Sequence, residues 1–543
     1  MENRTLVRIP FTTLAASMHT PPRLASGSNM EQVFGMLARI ATCLVATAGV
    51  LAAAPTLPFK ADFSSFPAAP WKTFDGEWSA ANGELRVKGG TGPKAVIEGL
   101  ETGDFQLDLE VRPESDGAQA GVVFRASDLA GGVDAFRGYY AGIRAGHNLV
   151  MWGATDPKWR PIGSRPVEVK AKQWYHLRLQ VAGNNAKIFV DDEPITGATW
   201  PVFDGIDAAF AKGGIALRAL DGEASFRNLK IVAYRPAPLT RSYTNPVQAG
   251  CADPVVFRHG GKYYAYTTYT PDFPRMPRGI RLYTSDNLVN WKDEGFALKN
   301  EDSWGKSRFW APDLVEKDGT FFLYYAADER MCVATAKSPR GPFKQEKQQP
   351  IEPNSIKIDG HVFTDGDGQR YFYYVSFGDG NEIWGGKLNA DMMTVDPSSL
   401  KLMVKPDQAW ERHQWPVTEG PEMLKHKGTY YLTYSGSHFE NPEYAVGYAT
   451  SDSPLGPWKK FAFNPVMKST AYAHGTAHHC FTASPDGKEV FIVYHRHSTL
   501  EKTEPRALSI DRVRFVPDPA GGPDILQIHG PTSSPQPLPS GAR

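Results

Sequence analysis

Asp318-Gly319-Thr320-Phe321-Phe322-Leu323-Tyr324-Tyr325 reads as a tight turn feeding an aromatic strand, and the chain repeats it. The other copies are Gly260-Gly261-Lys262-Tyr263-Tyr264-Ala265-Tyr266, Asp367-Gly368-Gln369-Arg370-Tyr371-Phe372-Tyr373-Tyr374, Lys427-Gly428-Thr429-Tyr430-Tyr431-Leu432-Thr433-Tyr434 and Asp486-Gly487-Lys488-Glu489-Val490-Phe491-Ile492-Val493-Tyr494. Their turn glycines step by 58, 49, 60 and 59 residues. A second motif follows several of them, as Leu282 to Trp291, Ala334 to Phe343 and Gly447 to Trp458. A period of about 50–60 residues holding about four short strands is one blade of a β-propeller. Five copies predict five blades.

Upstream of this repeat the pattern changes. Between about Phe59 and Tyr234 short runs alternate apolar and polar residues, as in Phe105 to Val111 and Tyr175 to Val181. Period-two runs separated by Gly, Asn and Asp turns predict a β-sandwich. A Pro-rich stretch, Arg235 to Thr240, separates the two regions. The expected class is therefore all-β, an N-terminal jelly-roll β-sandwich (56–236) followed by a five-bladed propeller (241–530). The last residues, 531–543, read as a disordered tail. At the other end, Arg39 precedes the apolar run Ile40 to Leu51, and Ala52-Ala53-Ala54 offers a small-residue cleavage site. Residues 1–54 read as a signal peptide behind an N-terminal extension, so the mature chain is expected to be secreted, extracellular or periplasmic. The run is too short for a permanent membrane anchor.

Composition narrows the partners. Lys+Arg and Asp+Glu both total 59 among 543 residues, which supplies no net field for nucleic acid or an anionic membrane. A neutral saccharide fits that balance better. Beyond the leader only Cys251, Cys332 and Cys480 remain, with no metal spacing and no disulfide framework.

One polar residue recurs just upstream of each turn glycine. Asp253, Asp313, Asp359, Glu419 and His478 lie 8, 6, 9, 9 and 9 residues before it. The first strand of a blade lines the propeller axis, so these side chains are expected to converge on one mouth. Clustered carboxylates raise one another's pKa, and hydrolysis of a glycosidic bond needs one carboxyl held protonated and another ionised.

In this order Ala252-Asp253-Pro254, Trp310-Ala311-Pro312-Asp313, Ile358-Asp359, Glu419-Gly420-Pro421, Gly475 to His479, Tyr494 to His497 and Ile510 to Phe515 resemble family 43 of the glycoside hydrolases. The resemblance spans 242–520. It implies an inverting mechanism with Asp253 as general base, Glu419 as general acid and Asp359 orienting Glu419 and tuning its pKa. It also implies that His478 sits near the axis, where members often hold a water-coordinated Ca²⁺, although no cofactor is required for the chemistry. The residue before that histidine, commonly Gly in the family, is Ala477 here. The expected activity is removal of neutral pentose or furanose units from plant polysaccharide side chains, foremost as an α-L-arabinofuranosidase. β-Xylosidase, endo-arabinanase, β-galactofuranosidase and a non-catalytic carbohydrate-binding propeller are the alternatives. Trp310, Asp313, Arg496 and Arg506 are the candidates for holding substrate. The sandwich, whose Trp174 to Val181 hairpin and Phe226 to Ile231 strand resemble concanavalin-like (laminin-G-like) jelly rolls, is expected either to bind carbohydrate, with Tyr139, Tyr140, Trp152 and Trp159 as stacking candidates, or only to pack against the propeller and help shape its pocket.

Overall fold

The structure, a computed structural model, describes residues 54–543 except 157, 184, 196–209, 270–278, 353–354 and 471. The expected leader lies outside the described residues, apart from Ala54. Residues 53–543 form one compact unit, and its described elements are strands, turns and short 3₁₀ segments.

The sandwich has two antiparallel sheets. One runs Glu193–Pro194, Asn185–Val190, Tyr175–Ala182, Phe105–Pro113, Ala224–Ala233, Glu84–Lys88 and Glu77–Ala81, with Phe59–Ala61 also on Ala224–Ala233. Phe105–Pro113 alternates strictly between buried and half-buried residues. That period places Phe105, Leu107, Leu109 and Val111 in the inter-sheet core. The other sheet runs Trp159–Pro166, Leu149–Thr155, Arg137–Arg144, Gln119–Ser127, Gly214–Leu220, Lys94–Ile97 and Trp71–Phe74. Gln119–Ser127 is buried along almost its whole length, because a second apolar cluster with Phe136 and Tyr140 covers its other face.

Five further sheets make the propeller. Their inner strands are Cys251–His259, Trp310–Lys317, Lys357–Thr364, Thr418–His426 and Ala477–Ala483. The aromatic strands that announced the repeat, Lys262–Tyr269, Thr320–Ala327, Arg370–Gly378, Thr429–Gly436 and Val490–Arg496, come second in each blade. Their tyrosines join neighbouring blades. Tyr324 donates its hydroxyl to the Met392 carbonyl at 2.7 Å, Tyr373 to Pro454 at 2.7 Å, and Tyr431 to Asp524 at 2.6 Å. Tyr263 reaches Ala483 at 2.8 Å, and Tyr266 reaches Pro339. Each link lets a large apolar ring fill the gap between blades while its polar end is satisfied.

The ring is closed by strands from both of its ends. Gln248–Ala249, which precedes the first blade, pairs with Ala507–Val516 of the fifth. The segment read as a disordered tail is part of this closure. Gln536–Pro537 pairs with Ser242–Tyr243, Arg241 donates to the Ala542 carbonyl at 2.9 Å, and the Ser540 amide donates to Glu489 at 2.7 Å. Its Pro and Ser content suggested disorder, but backbone pairing to a partner some 300 residues away left no local signal.

Candidate active site

Every inner strand begins with the same irregularity. Antiparallel register slips between Ala252 and Val255, Trp310 and Asp313, Ile358 and His361, Glu419 and Glu422, and Ala477 and His479. At each slip one residue is left-handed: Asp253 (φ 46°), Ala311 (44°), Asp359 (55°), Gly420 (53°) and His478 (46°). A left-handed Asp or His in a strand is a strained placement that surrounding structure must enforce. The bulge re-aims these side chains along the axis instead of across the sheet.

Aligned on that residue, the five predicted groups fall into two layers. Asp253, Asp359 and His478 occupy the left-handed position itself, and Glu419 comes one residue before it. His478 Nδ1 lies 3.4 Å from Asp253 Oδ1 and 4.0 Å from Asp359 Oδ2. Asp359 Oδ2 accepts from the Gly420 amide at 3.1 Å, next to Glu419. Gly420 is required there. A Cβ at this left-handed position would meet the His478 ring at 3.2 Å.

Asp313 belongs to the second layer, which corrects its assignment to substrate. It follows its left-handed residue by two positions, as do His361 and Glu422. His361 Nε2 accepts from the Met423 amide at 3.2 Å, which leaves Nδ1 as the protonated nitrogen between Glu422 Oε2 (3.1 Å) and Asp313 Oδ2 (3.5 Å). Counting back to a turn glycine merged the layers because a bulge changes the count without changing the side-chain direction.

The charges in the first layer are set apart. Burial alone would raise the Asp253 carboxyl, yet the Arg506 guanidinium outweighs it and holds the group well below the usual carboxylate range. Arg506 Nη1 donates to Asp253 Oδ1 at 2.9 Å, while its Nε donates to Glu504 at 3.0 Å. Burial pushes His495 down to about 3, aided by Arg506. Its neutral ring accepts the Asp253 amide at Nδ1, 3.1 Å. Glu419 moves the other way. Burial raises it to about 7 against hydrogen bonds from Tyr444 (2.7 Å) and Asn381 (2.8 Å), with Asp253 adding to the rise. Asp359 is also raised, by burial first and then by Glu419 and Asp253. These two carboxyls share protons as a pair.

Two exposed aromatics flank the acid. Phe377, half exposed, is paired in register with Asn381, and Trp415, 59% exposed, lies just before Thr418.

Other sequence candidates are placed differently. Trp310 is half-buried against the core between the second and third blades. Arg496 points away from the mouth, donating to Ser533 Oγ at 3.1 Å and the Tyr472 carbonyl at 2.7 Å. It follows His495, and side chains alternate along a strand, so only one of the two can face the axis. In the sandwich, Tyr139, Tyr140 and Trp152 are core residues. Sequence reasoning missed Asn381, Tyr444, His361 and Glu422. The last two share the phase of Asp313 and were findable from strand starts, whereas Asn381 and Tyr444 have no repeat partner.

Among the described residues no group of three or more His, Cys, Asp or Glu is disposed to ligate a metal. Cys251, Cys332 and Cys480 are buried free thiols.

The family model described as glycosyl hydrolases family 43 matches residues 243–520. The chain belongs to glycosyl hydrolase family 43. It is a glycoside hydrolase with a carbohydrate substrate. A second model, described as a 3-keto-alpha-glucoside-1,2-lyase-like domain, matches the sandwich at 61–232. Among curated relatives, a β-D-galactofuranosidase of Aspergillus niger is 28% identical over 292 residues, 50% of this chain and 82% of its own. An extracellular exo-α-(1→5)-L-arabinofuranosidase of Streptomyces chartreusis is 30% identical over 305 residues, 52% of this chain and 87% of its own. A thermostable family-43 glycoside hydrolase of known crystal structure is 35% identical, with TM-score 0.50 over 55% of this chain and 99% of its own. Among the described residues no helix is long and apolar enough to cross a membrane.

Proposed function

We propose that this family 43 enzyme is an inverting, exo-acting hydrolase of neutral furanosides, an α-L-arabinofuranosidase in the first instance. One observation carries the mechanism: Arg506 Nη1 donates to Asp253 at 2.9 Å and holds it ionised, while Glu419, buried and near enough to Asp253 to feel its charge, is raised to about 7. Asp253 takes a proton from water as the water oxygen bonds to the anomeric carbon. Glu419 gives its proton to the departing glycosidic oxygen as the carbon–oxygen bond breaks. Asp359, hydrogen-bonded to the amide beside Glu419 and negatively coupled to it, keeps the acid protonated and oriented. Two dissimilar relatives whose names specify furanosides support the sugar class. The leader and the extracellular relatives support export.

A panel of aryl α-L-arabinofuranosides, β-D-xylopyranosides and β-D-galactofuranosides tests the sugar, and NMR of the first-formed product tests the stereochemistry. The arabinofuranoside is expected to have the highest kcat/KM and to yield the inverted anomer. Preference for the xyloside removes the furanoside reading, and a retained anomer removes the mechanism.

A further inference from the structure

A cleft of about 390 Å³ lies between the sandwich and the propeller, away from the carboxylates. Its sandwich wall is the edge hairpin Leu149–Thr155 and Trp159–Pro166, and its propeller wall is the stretch 462–470 with Gly530 and Pro531. The volume suits one or two sugar rings. Three aromatic residues line it: the buried Trp152, Trp159, half-buried and edge-on to Tyr140 at 6.2 Å, and Phe463, 39% exposed.

Two cations line the same walls. Arg165 donates from Nη1 to the Ser164 carbonyl at 3.1 Å and stands 6.0 Å over the Trp152 ring. Lys468 faces it from the propeller. Neither has a carboxylate within 4 Å among the described residues, whereas Arg112, Arg178, Arg227 and Arg506 all do. Burial, with Arg514 nearby, presses Arg165 down to about 10. Lys468 is lowered by burial and by Arg165, with Glu443 opposing. Sheltering two like charges is costly unless something negative joins them.

We propose that this cleft binds a uronic-acid-bearing saccharide, its carboxylate between Arg165 and Lys468 and its ring against Trp159 and Phe463. Planar guanidinium recognition of a carboxylate and stacking of a sugar's apolar face on an aromatic ring are both available there. The cleft also opens on the catalytic side. Inner strands start at the mouth, and the stretch 462–470 is the connection from Lys459–Lys460, the outer edge of the fourth blade, to Ala477–Ala483, the inner strand that carries His478. Thr470 is eight residues from His478, at most about 28 Å of extended chain. An acidic polysaccharide anchored at the cleft therefore presents its neutral branches to the mouth. The binding claim stands on the cleft alone, and its link to cleavage rests on the hydrolase reading.

Calorimetry on the Glu419→Gln chain, in which turnover of unactivated saccharides is suppressed, separates the two. The probes are an oligogalacturonate, its methyl ester, a neutral xylo-oligosaccharide of equal length, and acetate at matched carboxylate concentration. The oligogalacturonate is expected to bind, the ester and the xylo-oligosaccharide at least tenfold more weakly, and acetate not at all. Raising salt from about 0.05 to about 0.5 M should weaken the acid alone. The double variant Arg165→Gln/Lys468→Gln should lose at least tenfold in affinity without any fall in its unfolding midpoint. If that variant fails to fold, the ester and salt arms on the unsubstituted cleft decide. Equal binding of acid and ester, no binding of the acid, or equal binding of acetate (an adventitious anion site only) overturns the proposal.

Discussion

Tyr444 and Asn381 each donate to Glu419, and a hydrogen bond to the charged form favours that form. Hydrolysis on the proposed mechanism requires Asp253 ionised and Glu419 protonated. Activity should therefore persist below the usual carboxylate range and fall as pH rises through about 7. Tyr444→Phe removes one bond to the anion, so the Glu419 pKa rises and the alkaline limb moves upward. A hydrogen bond to a charged group is worth about 1.5–3 kcal/mol, which corresponds to a shift of about one to two pH units. A pH profile of kcat/KM reads this directly, and an unmoved limb would exclude Tyr444 from tuning the acid. Trp415→Ala should raise KM for oligosaccharides more than it lowers kcat, since the ring is exposed four residues before the acid. At this level the recurring phase picked out the three carboxylates that the structure brings together, whereas Arg506, offered for holding substrate, instead pairs with Asp253 and Glu504. Arg496 and Asp313 were misplaced for geometric reasons: strand alternation turned one away, and the bulge put the other a layer deeper.

Between blades, the same strands that carry the repeat also carry the links that hold it. Tyr324→Phe leaves the Met392 carbonyl without its buried donor, and the expected loss is about 1–3 kcal/mol in denaturant unfolding. Activity should be retained, since the link lies on the second strand and not at the mouth. The second axial layer binds three blades together through Asp313, His361 and Glu422. His361 accepts the Met423 amide at Nε2 and turns its Nδ1 proton toward Glu422 and Asp313. His361→Ala leaves these buried groups without their partner and should cost about 1–3 kcal/mol in denaturant unfolding, and an unmoved midpoint would show that the layer does not hold the blades together. The blade count was readable from turn glycines and aromatic runs. The left-handed residue that organises each inner strand was not, since Asp253, Ala311, Asp359, Gly420 and His478 are of four different types.

For the molecule as a whole, stability depends on closing a ring whose first and last strands are distant in sequence. Deleting 531–543 removes the pairing of Gln536–Pro537 with Ser242–Tyr243 and the two bonds from Thr532 to Asp511, at 3.0 and 2.6 Å. Hydrogen bonds to a buried carboxylate make the expected loss about 3 kcal/mol or more, measurable as a lower denaturant midpoint. A truncated chain as stable as the full one would contradict the closure. The sandwich and propeller were both foreseeable from periodicity, but this clasp and the cleft between the domains arise from long-range contact, which local pattern does not encode.

The central claim is the division of labour between Asp253 and Glu419, and leaving-group dependence in Glu419→Gln tests it most directly. An aryl arabinofuranoside with an activated leaving group needs no protonation to depart, whereas an unactivated alkyl or sugar leaving group does. The variant, folded as judged by its unfolding curve, should retain measurable turnover of the activated substrate and lose at least a thousandfold on the unactivated one. An equal loss on both, or full activity on the unactivated substrate, would contradict the account.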